Sequence, residues 1–283
     1  MFPTPLAKTR PLTQALYKVG LPIALIVWLL PIIAVALTSI RGQGDIASGN
    51  YWGLPTEWQV IENYSAVFRN TPIARYIVNS LLVAIPTVIG AVGLSCLAGF
   101  ALGTYHFKAN LAVFFLFVGG NFIPFQILMV PVRDLSLRMG LYDSIGGLVL
   151  FHIAFQTGFC TFFMRNFIRD LPHELIEAAR IEGASEWQIF WKVVLPLVRP
   201  ALAALSVLIF TFIWNDYFWS TVLIQGDHAM PVTGGLNSLN GIWVAQWHLV
   251  SAGSIVAALP PVLIFFLMQK QFIAGLTIGA TKG

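Results

Sequence analysis

Six stretches of this 283-residue chain are apolar over about the length that a helix needs to cross a bilayer, and no other feature constrains the fold as tightly. They cover residues 19–40, 76–102, 111–132, 145–168, 201–224 and 250–268. In hydrocarbon only a helix or a closed barrel satisfies its own backbone polar groups. The runs lack the strand alternation of a barrel, so an all-α membrane protein with six transmembrane helices is predicted. Charge agrees: 10% of residues are charged, against about 25% in a soluble domain, too few to clothe a water-facing surface. Lys8, Arg10 and Lys18 precede the first run as in a signal peptide. That run exceeds the roughly 7–15 residues of a signal-peptide core, so an uncleaved span is expected.

The basic residues fix a direction. With the N-terminus inside, eleven of the 16 Lys and Arg fall on the cytoplasmic side, among them Lys108, Arg165, Arg169, Arg180 and Lys192. Five fall outside: Arg41, Arg69, Arg75, Arg133 and Arg138. The chain then divides into a cytoplasmic segment 1–18, a transmembrane domain 19–268 with a cytoplasmic loop at 170–200, and a cytoplasmic tail 269–283. Both termini lie inside, and the segments 41–75 and 225–249 face outward. The net charge of +4 is scattered between apolar runs without interleaved stacking aromatics, which argues against nucleic acid as a partner. Cys96 and Cys160 sit inside apolar runs without metal or redox spacing and read as small buried hydrophobes.

The segment 170–202 reads DLPHELIEAARIEGASEWQIFWKVVLPLVRPAL, two short helices by local rules. Asp170 and Pro172 open the first, and Gly183 closes it in the left-handed conformation. Ser185 and Gln188 form a capping box for the second, and Pro196 is expected to end it. Trp187, Phe190, Trp191 and Val194 share a face of the second helix, with Leu175, Ala178 and Ala179 forming a smaller face on the first. On physical grounds alone, such a pair could simply float at the membrane interface.

The wording narrows this. Glu177-Ala178-Ala179, then Gly183, then Leu195-Pro196 and Pro200 resembles the EAA signature of permeases from binding-protein-dependent ABC importers. Glu182 and Val193 stand where that family usually has Asp and Ile, changes that keep charge or bulk. The resemblance implies a type I importer permease whose loop is a coupling helix docked on an ATPase through Glu177, Ala178, Ala179, Gly183, Phe190 and Pro196. Pro55, Trp58, Glu62-Asn63-Tyr64, Val67-Phe68 and the glycine-containing tail 275–283 are similar to the maltose-type carbohydrate branch. The implied partners are a second homologous permease, two ATPase subunits that bind the ATP and Mg, and a periplasmic sugar-binding protein received on the outer loops. The implied location is the bacterial inner membrane, and the chain itself is expected to need no cofactor or metal.

Asp216 is the one acidic residue inside a predicted span, where a central carboxylate costs about 2.5–3.5 kcal/mol. Asn215, Asp216 and Trp219 share a helical face with Thr211 one turn before. A carboxylate and an amide suit sugar hydroxyls, and an aromatic ring suits the apolar face of a pyranose, so this face is a candidate lining of the route. Asp216 could equally pair with a neighbouring helix and fix packing. Asn79, Asn121, Gln126, His152 and Gln156 are further candidates for the route, with interhelical glue the preferred reading of each alone, and Gly99 with Gly103 reads as a close helix contact. Pro86, Pro124 and Pro260-Pro261 are expected to kink their helices.

Catalysis is disfavoured: there is no G-x-S-x-G, H-E-x-x-H or Cys-x-x-Cys, and no G-x-x-x-x-G-K-[ST] loop to hold ATP phosphates. Two alternatives to sugar import are a permease for another small polar solute and an ion-coupled secondary transporter. The latter commonly has two internal repeats and charges in several spans, a poor match here.

Overall fold

A computed structural model describes residues 11–237 and 246–280, with side chains as far as Lys270. Among the described residues there is no β-strand, only an isolated bridge between Arg41 and Trp58. The chain forms two compact units, Met1–Thr71 with Leu239–Val256 and Pro72–Ser238 with Ala257–Gly283.

In the first unit, α1 (Pro11–Ser39) is followed by a single turn, α2 (Gln43–Ala47), and by α3 (Val60–Asn70). The loop after α1 is held by buried polar groups. Arg41 is fully buried and donates to the carbonyls of Asn50 and Gly53. Asp45 accepts from the Thr56 hydroxyl at 2.6 Å and its amide at 2.9 Å, which holds the Asp45 carboxyl below the usual carboxylate range. Asn63 donates to the carbonyls of Ser39 and Arg41 at 3.0 and 2.8 Å, closing α3 onto the end of α1.

The second unit is organised around α4 (Ile73–Thr104) and α7 (Ile145–Arg169). Both are long and apolar enough to span a bilayer. Their contact relies on small residues: a Cβ at Gly99 would lie 2.9 Å from the Arg165 amide nitrogen, and one at Gly103 3.3 Å from Ile168. Ser95 donates to the Thr157 carbonyl across the same seam at 3.1 Å. Cys96 and Cys160 are buried there as free thiols, as their apolar setting predicts. The helix at Pro86 runs without interruption.

The third predicted span, 111–132, is not one helix. It is α5 (Asn110–Gly119) and α6 (Met129–Arg138), with two 3₁₀ turns between them. The segments Asn110–Phe122 and Phe125–Arg138 meet at 88°, so the described residues hold five helices long and apolar enough to span, or six spans if this bent pair counts as one. The cause is Pro124, which drives Ile123 into extended geometry at φ −78°, ψ 122°.

The two-helix insert contains α8 (His173–Ile181) and α9 (Glu186–Ile189). Gly183 has φ +83°, and both hydrogen bonds of the Ser185–Gln188 capping box form. Pro196 does not end the second helix. A π-helical turn, Phe190–Val194, joins α9 to α10 (Leu195–Trp214), making one continuous apolar helix from Glu186 to Trp214. A helical proline clashes with the carbonyl four residues earlier, here that of Lys192, and the wider π turn falls on that position.

The fifth span also stops short of its predicted end. α10 closes at Trp214, three residues intervene, and α11 (Phe218–Leu223) follows. The next segment, which carries α12 (Val232–Leu236), is pinned to α4. Asn79 donates to the carbonyls of His228 and Met230, both at 3.0 Å, and the Val232 amide donates to Ser80 at 2.8 Å. Tyr76 donates to Asp227 at 3.0 Å. Asp143 accepts from the amides of Gln225 and Gly226, both at 2.8 Å, and these amides hold its carboxyl below the usual range. Asn240 and Trp243, two outer-loop residues, lie outside the described residues. The last helix is α13 (Trp247–Ala280), which contains Pro260 and Pro261, and its Ala257 carbonyl accepts from the Trp214 indole at 3.0 Å.

Candidate functional site

Two places carry the chemistry. The first is the surface of the insert. Ile176, Ile189, Phe190 and Val194 point inward, and Phe190 packs against Phe100 of α4 with ring centroids 5.4 Å apart. Trp187 and Trp191 contact the Phe190 ring yet remain half exposed or more. The predicted face therefore divides: Phe190 and Val194 are buried, while both tryptophans and Leu175 lie on the outside.

That outside mixes exposed apolar residues with exposed charge, including Glu174, Glu177, Glu182 and Glu186. Ile181 is 88% exposed and Trp187 61%, and Glu177, Ala178 and Gly183 are exposed with them. Glu177 has no ion pair among the described residues. Pro196 is exposed, but it lies beyond the π turn, nearly three turns from the start of the long helix at about 3.6 residues per turn.

The turn itself is braced by residues that the sequence reading missed. Arg180 pairs with Glu186 at 2.7 Å across Gly183, and the Tyr105 hydroxyl donates to the same carboxylate at 2.6 Å. Burial pushes the Tyr105 phenol up to about 12, with the neighbouring Glu186 adding to the rise. Arg180 and Glu186 are six apart, and only the left-handed glycine folds them together. Tyr105 comes from a different helix end, and no local pattern signals it.

The second place is a cavity of about 370 Å³ among α7, α10, α11 and the 3₁₀ turns that join α5 to α6. It is lined by Asn121, His152, Gln156 and Asp216, with Phe125, Phe155, Phe159, Phe212 and Trp219 supplying rings. Asp216 does not sit at a helix centre. It lies in the break after α10, where its carboxylate accepts from the amides of Trp219 at 3.3 Å and Ser220 at 3.0 Å. Backbone donors at a helix start are what an acidic side chain satisfies best, so the insertion penalty of a central carboxylate does not apply. His152 Nε2 stands 3.6 Å from Asp216 Oδ2 and has no hydrogen-bond partner among the described residues.

The other expected lining residues are placed differently. Asn215 turns back to the Thr211 carbonyl at 2.8 Å, and the Thr211 hydroxyl donates to Val207 at 2.8 Å. Neither lines the cavity. Trp219 does, but it is buried with its ring 4.1 Å from that of Phe151, so it is no open platform. Asn121, His152 and Gln156, further route candidates in the sequence for which packing is preferred one by one, line the cavity together with Asp216 because α7 brings its His152–Gln156 turn opposite the break.

Residues 6–278 match the family described as binding-protein-dependent transport system inner membrane component. The chain belongs to this permease family. A probable ABC transporter permease protein of Pyrococcus horikoshii is 36% identical over 253 residues, covering 89% of this permease and 91% of its own length. The arabinooligosaccharides transport system permease protein of Halalkalibacterium halodurans is 30% identical over 278 residues, 98% of this permease and 99% of that protein. In fold, the permease matches a chain from a bacterial ABC transporter involved in the import of the acidic polysaccharide alginate. The TM-score is 0.80 at 23% identity, over 92% of this permease and 96% of that chain. The permease is thus a multi-pass inner-membrane transport component with the type I importer fold, and not an enzyme.

Proposed function

We propose that this permease forms half of the translocation route of an ATP-driven sugar importer and couples that route to separate ATPase subunits. The observation that carries the coupling is the exposed insert: Glu177, without an ion pair among the described residues, is exposed on it together with Ile181 and Trp187, on a turn braced by Arg180, Glu186 and Tyr105. Acidic and apolar groups exposed together on a stiff elbow suit a basic-rimmed cleft on a moving partner. Glu177, Ala178, Ala179 and Gly183 make that contact, and Phe190 supports it from beneath.

On this reading the N-terminus and the insert are cytoplasmic. Two ATPase subunits hold ATP and Mg, a second homologous permease completes the route, and a periplasmic binding protein delivers solute to the outer loops. The cavity at Asp216 lies on the route. Its carboxylate, two amides and imidazole present donors and acceptors among aromatic faces, the chemistry that hydroxyl-rich rings take. Relatives named for oligosaccharide transport support sugar as the solute class.

The test is uptake by proteoliposomes carrying the whole importer. Sugar entry should survive collapse of proton and sodium gradients and stop when ATP is exhausted. Glu177→Lys should abolish sugar-stimulated ATP hydrolysis. Asp216→Asn with Gln156→Ala should lower uptake while leaving basal hydrolysis in place. Uptake driven by an ion gradient, or normal coupling in Glu177→Lys, would overturn the reading.

A further inference from the structure

We propose that a basic pocket beside the insert binds the phosphate of an anionic phospholipid headgroup. The pocket, about 530 Å³, lies where the end of α4 meets the end of α7. Lys108, Arg165 and Arg169 line it with His106 and Asn110, and no Asp or Glu does. Arg165 is 8% exposed. Its Nε donates to the Leu102 carbonyl at 3.3 Å, and its guanidinium carbon sits 4.0 Å from the centre of the Phe114 ring. Neither contact neutralises the charge. Among the described residues none of the three cations forms an ion pair.

A guanidinium buried to this degree without a counter-ion is costly, and Arg169 one helical turn on adds like-charge repulsion. One phosphate would relieve both, because the guanidinium fork is matched to its oxygens. The remaining wall selects among phosphates. Leu102, Phe107 and Leu111 give the pocket an apolar side. Leu111 continues into an exposed apolar strip of α5 with Phe115 and Leu116. A headgroup seated on the cations would leave its acyl chains along that strip, which a free anion could not use. Basic pockets between spans on the cytoplasmic side are where anionic headgroups concentrate. The side assignment rests on the coupling reading above, since the Tyr105–Glu186 hydrogen bond joins this end of α4 to the insert.

Retained lipid can be counted by native mass spectrometry on the full-length permease, purified in mild detergent with the subunits that accompany it. The probes are dioleoyl phosphatidylglycerol, dioleoyl phosphatidylcholine and inorganic phosphate. Wild type should retain phosphatidylglycerol in preference to phosphatidylcholine. Lys108→Gln with Arg169→Gln, both at exposed positions, should weaken phosphatidylglycerol binding roughly thirtyfold, about fivefold per cation. Lys108→Arg with Arg169→Lys should restore it. Arg69→Gln with Arg138→Gln, an equal loss of charge elsewhere, should leave it unchanged. Equal retention of the two lipids, or equal loss in both neutralised pairs, would overturn the proposal. So would a melting-temperature rise with inorganic phosphate that depends on Lys108 and Arg169 while phosphatidylglycerol is not retained, because the ligand would then be a free phosphate. The measurement uses neither sugar nor ATP. Normal lipid retention beside failed coupling would count against the importer reading alone.

Discussion

Substituting Gly183 by alanine isolates the elbow from everything packed around it. The residue has φ +83°, and a Cβ built there meets nothing within 4 Å, so the substitution adds backbone strain and no clash. Left-handed geometry costs a residue with a Cβ about 1–2 kcal/mol, a factor of roughly 5 to 30 in a local equilibrium. Opposing that strain is the Arg180–Glu186 pair, whose side chains are 36% and 45% exposed, so solvent screening leaves it worth about 1 kcal/mol or less. The capping box at Ser185 contributes about 1 kcal/mol more. Strain and restraint are thus of the same size, and the angle between α8 and α9 should relax in a large share of molecules. In proteoliposomes with the ATPase subunits, Gly183→Ala should lower sugar transported per ATP hydrolysed several-fold, with the melting temperature of the membrane bundle unchanged. Gly183→Asn should fall between alanine and wild type, because asparagine visits this conformation more readily. Wild-type coupling in Gly183→Ala, or equal impairment in both variants, would refute the reasoning.

Three further outcomes follow from the geometry. Gly99→Val places a branched side chain where a Cβ already lies 2.9 Å from the Arg165 backbone and should destabilise the α4–α7 pair by about 1–3 kcal/mol, with Gly103→Ala milder, as read by thermal unfolding in detergent. Phe190→Ala removes the buried ring against Phe100 and should cost about 3–5 kcal/mol by the same assay. The amides of Gly226 and Gln225 depress the Asp143 carboxyl, so its contribution is present above the ordinary value of 3.8 and lost as pH falls through the lower folded value. Protection of those two amides, measured against their intrinsic exchange at each pH, should therefore fall only below pH 3.8 in wild type, and be lower at every pH in Asp143→Asn.

Much of this was legible in the sequence because it rests on local chemistry. Apolar length gives the helices, and Gly183, Ser185 and Gln188 give the elbow, since a left-handed glycine and a capping box act within a few residues. The failures share a cause. Pro124 bends its span by 88°, as expected of it, whereas Pro196, which carries the same local signal, is absorbed by a π turn instead of ending its helix. Which occurs depends on the surrounding backbone, and sequence spacing does not report that. Asp216 looks like a carboxylate in mid-span until the helix stops at Trp214 and hands it two amides. The partners His152 and Gln156 belong to another helix, and only the packing of α7 against α10 makes them neighbours. Trp187 and Trp191 show the limit of helical periodicity: it groups residues by face without saying which edge of that face is covered.

Between the elbow of the insert and the aromatic cavity no loop interrupts the helix to absorb movement. Glu186–Trp214 is a single rod of 29 residues, about 43 Å of helix, with its lower end clamped beside Tyr105 and its upper end against the Asp216 break. Pivoting such a rod by about 5° at its base sweeps the tip through ~4 Å. A rotation too small to disturb the foot of the lever is large enough at its head to change whether a hydroxyl group fits.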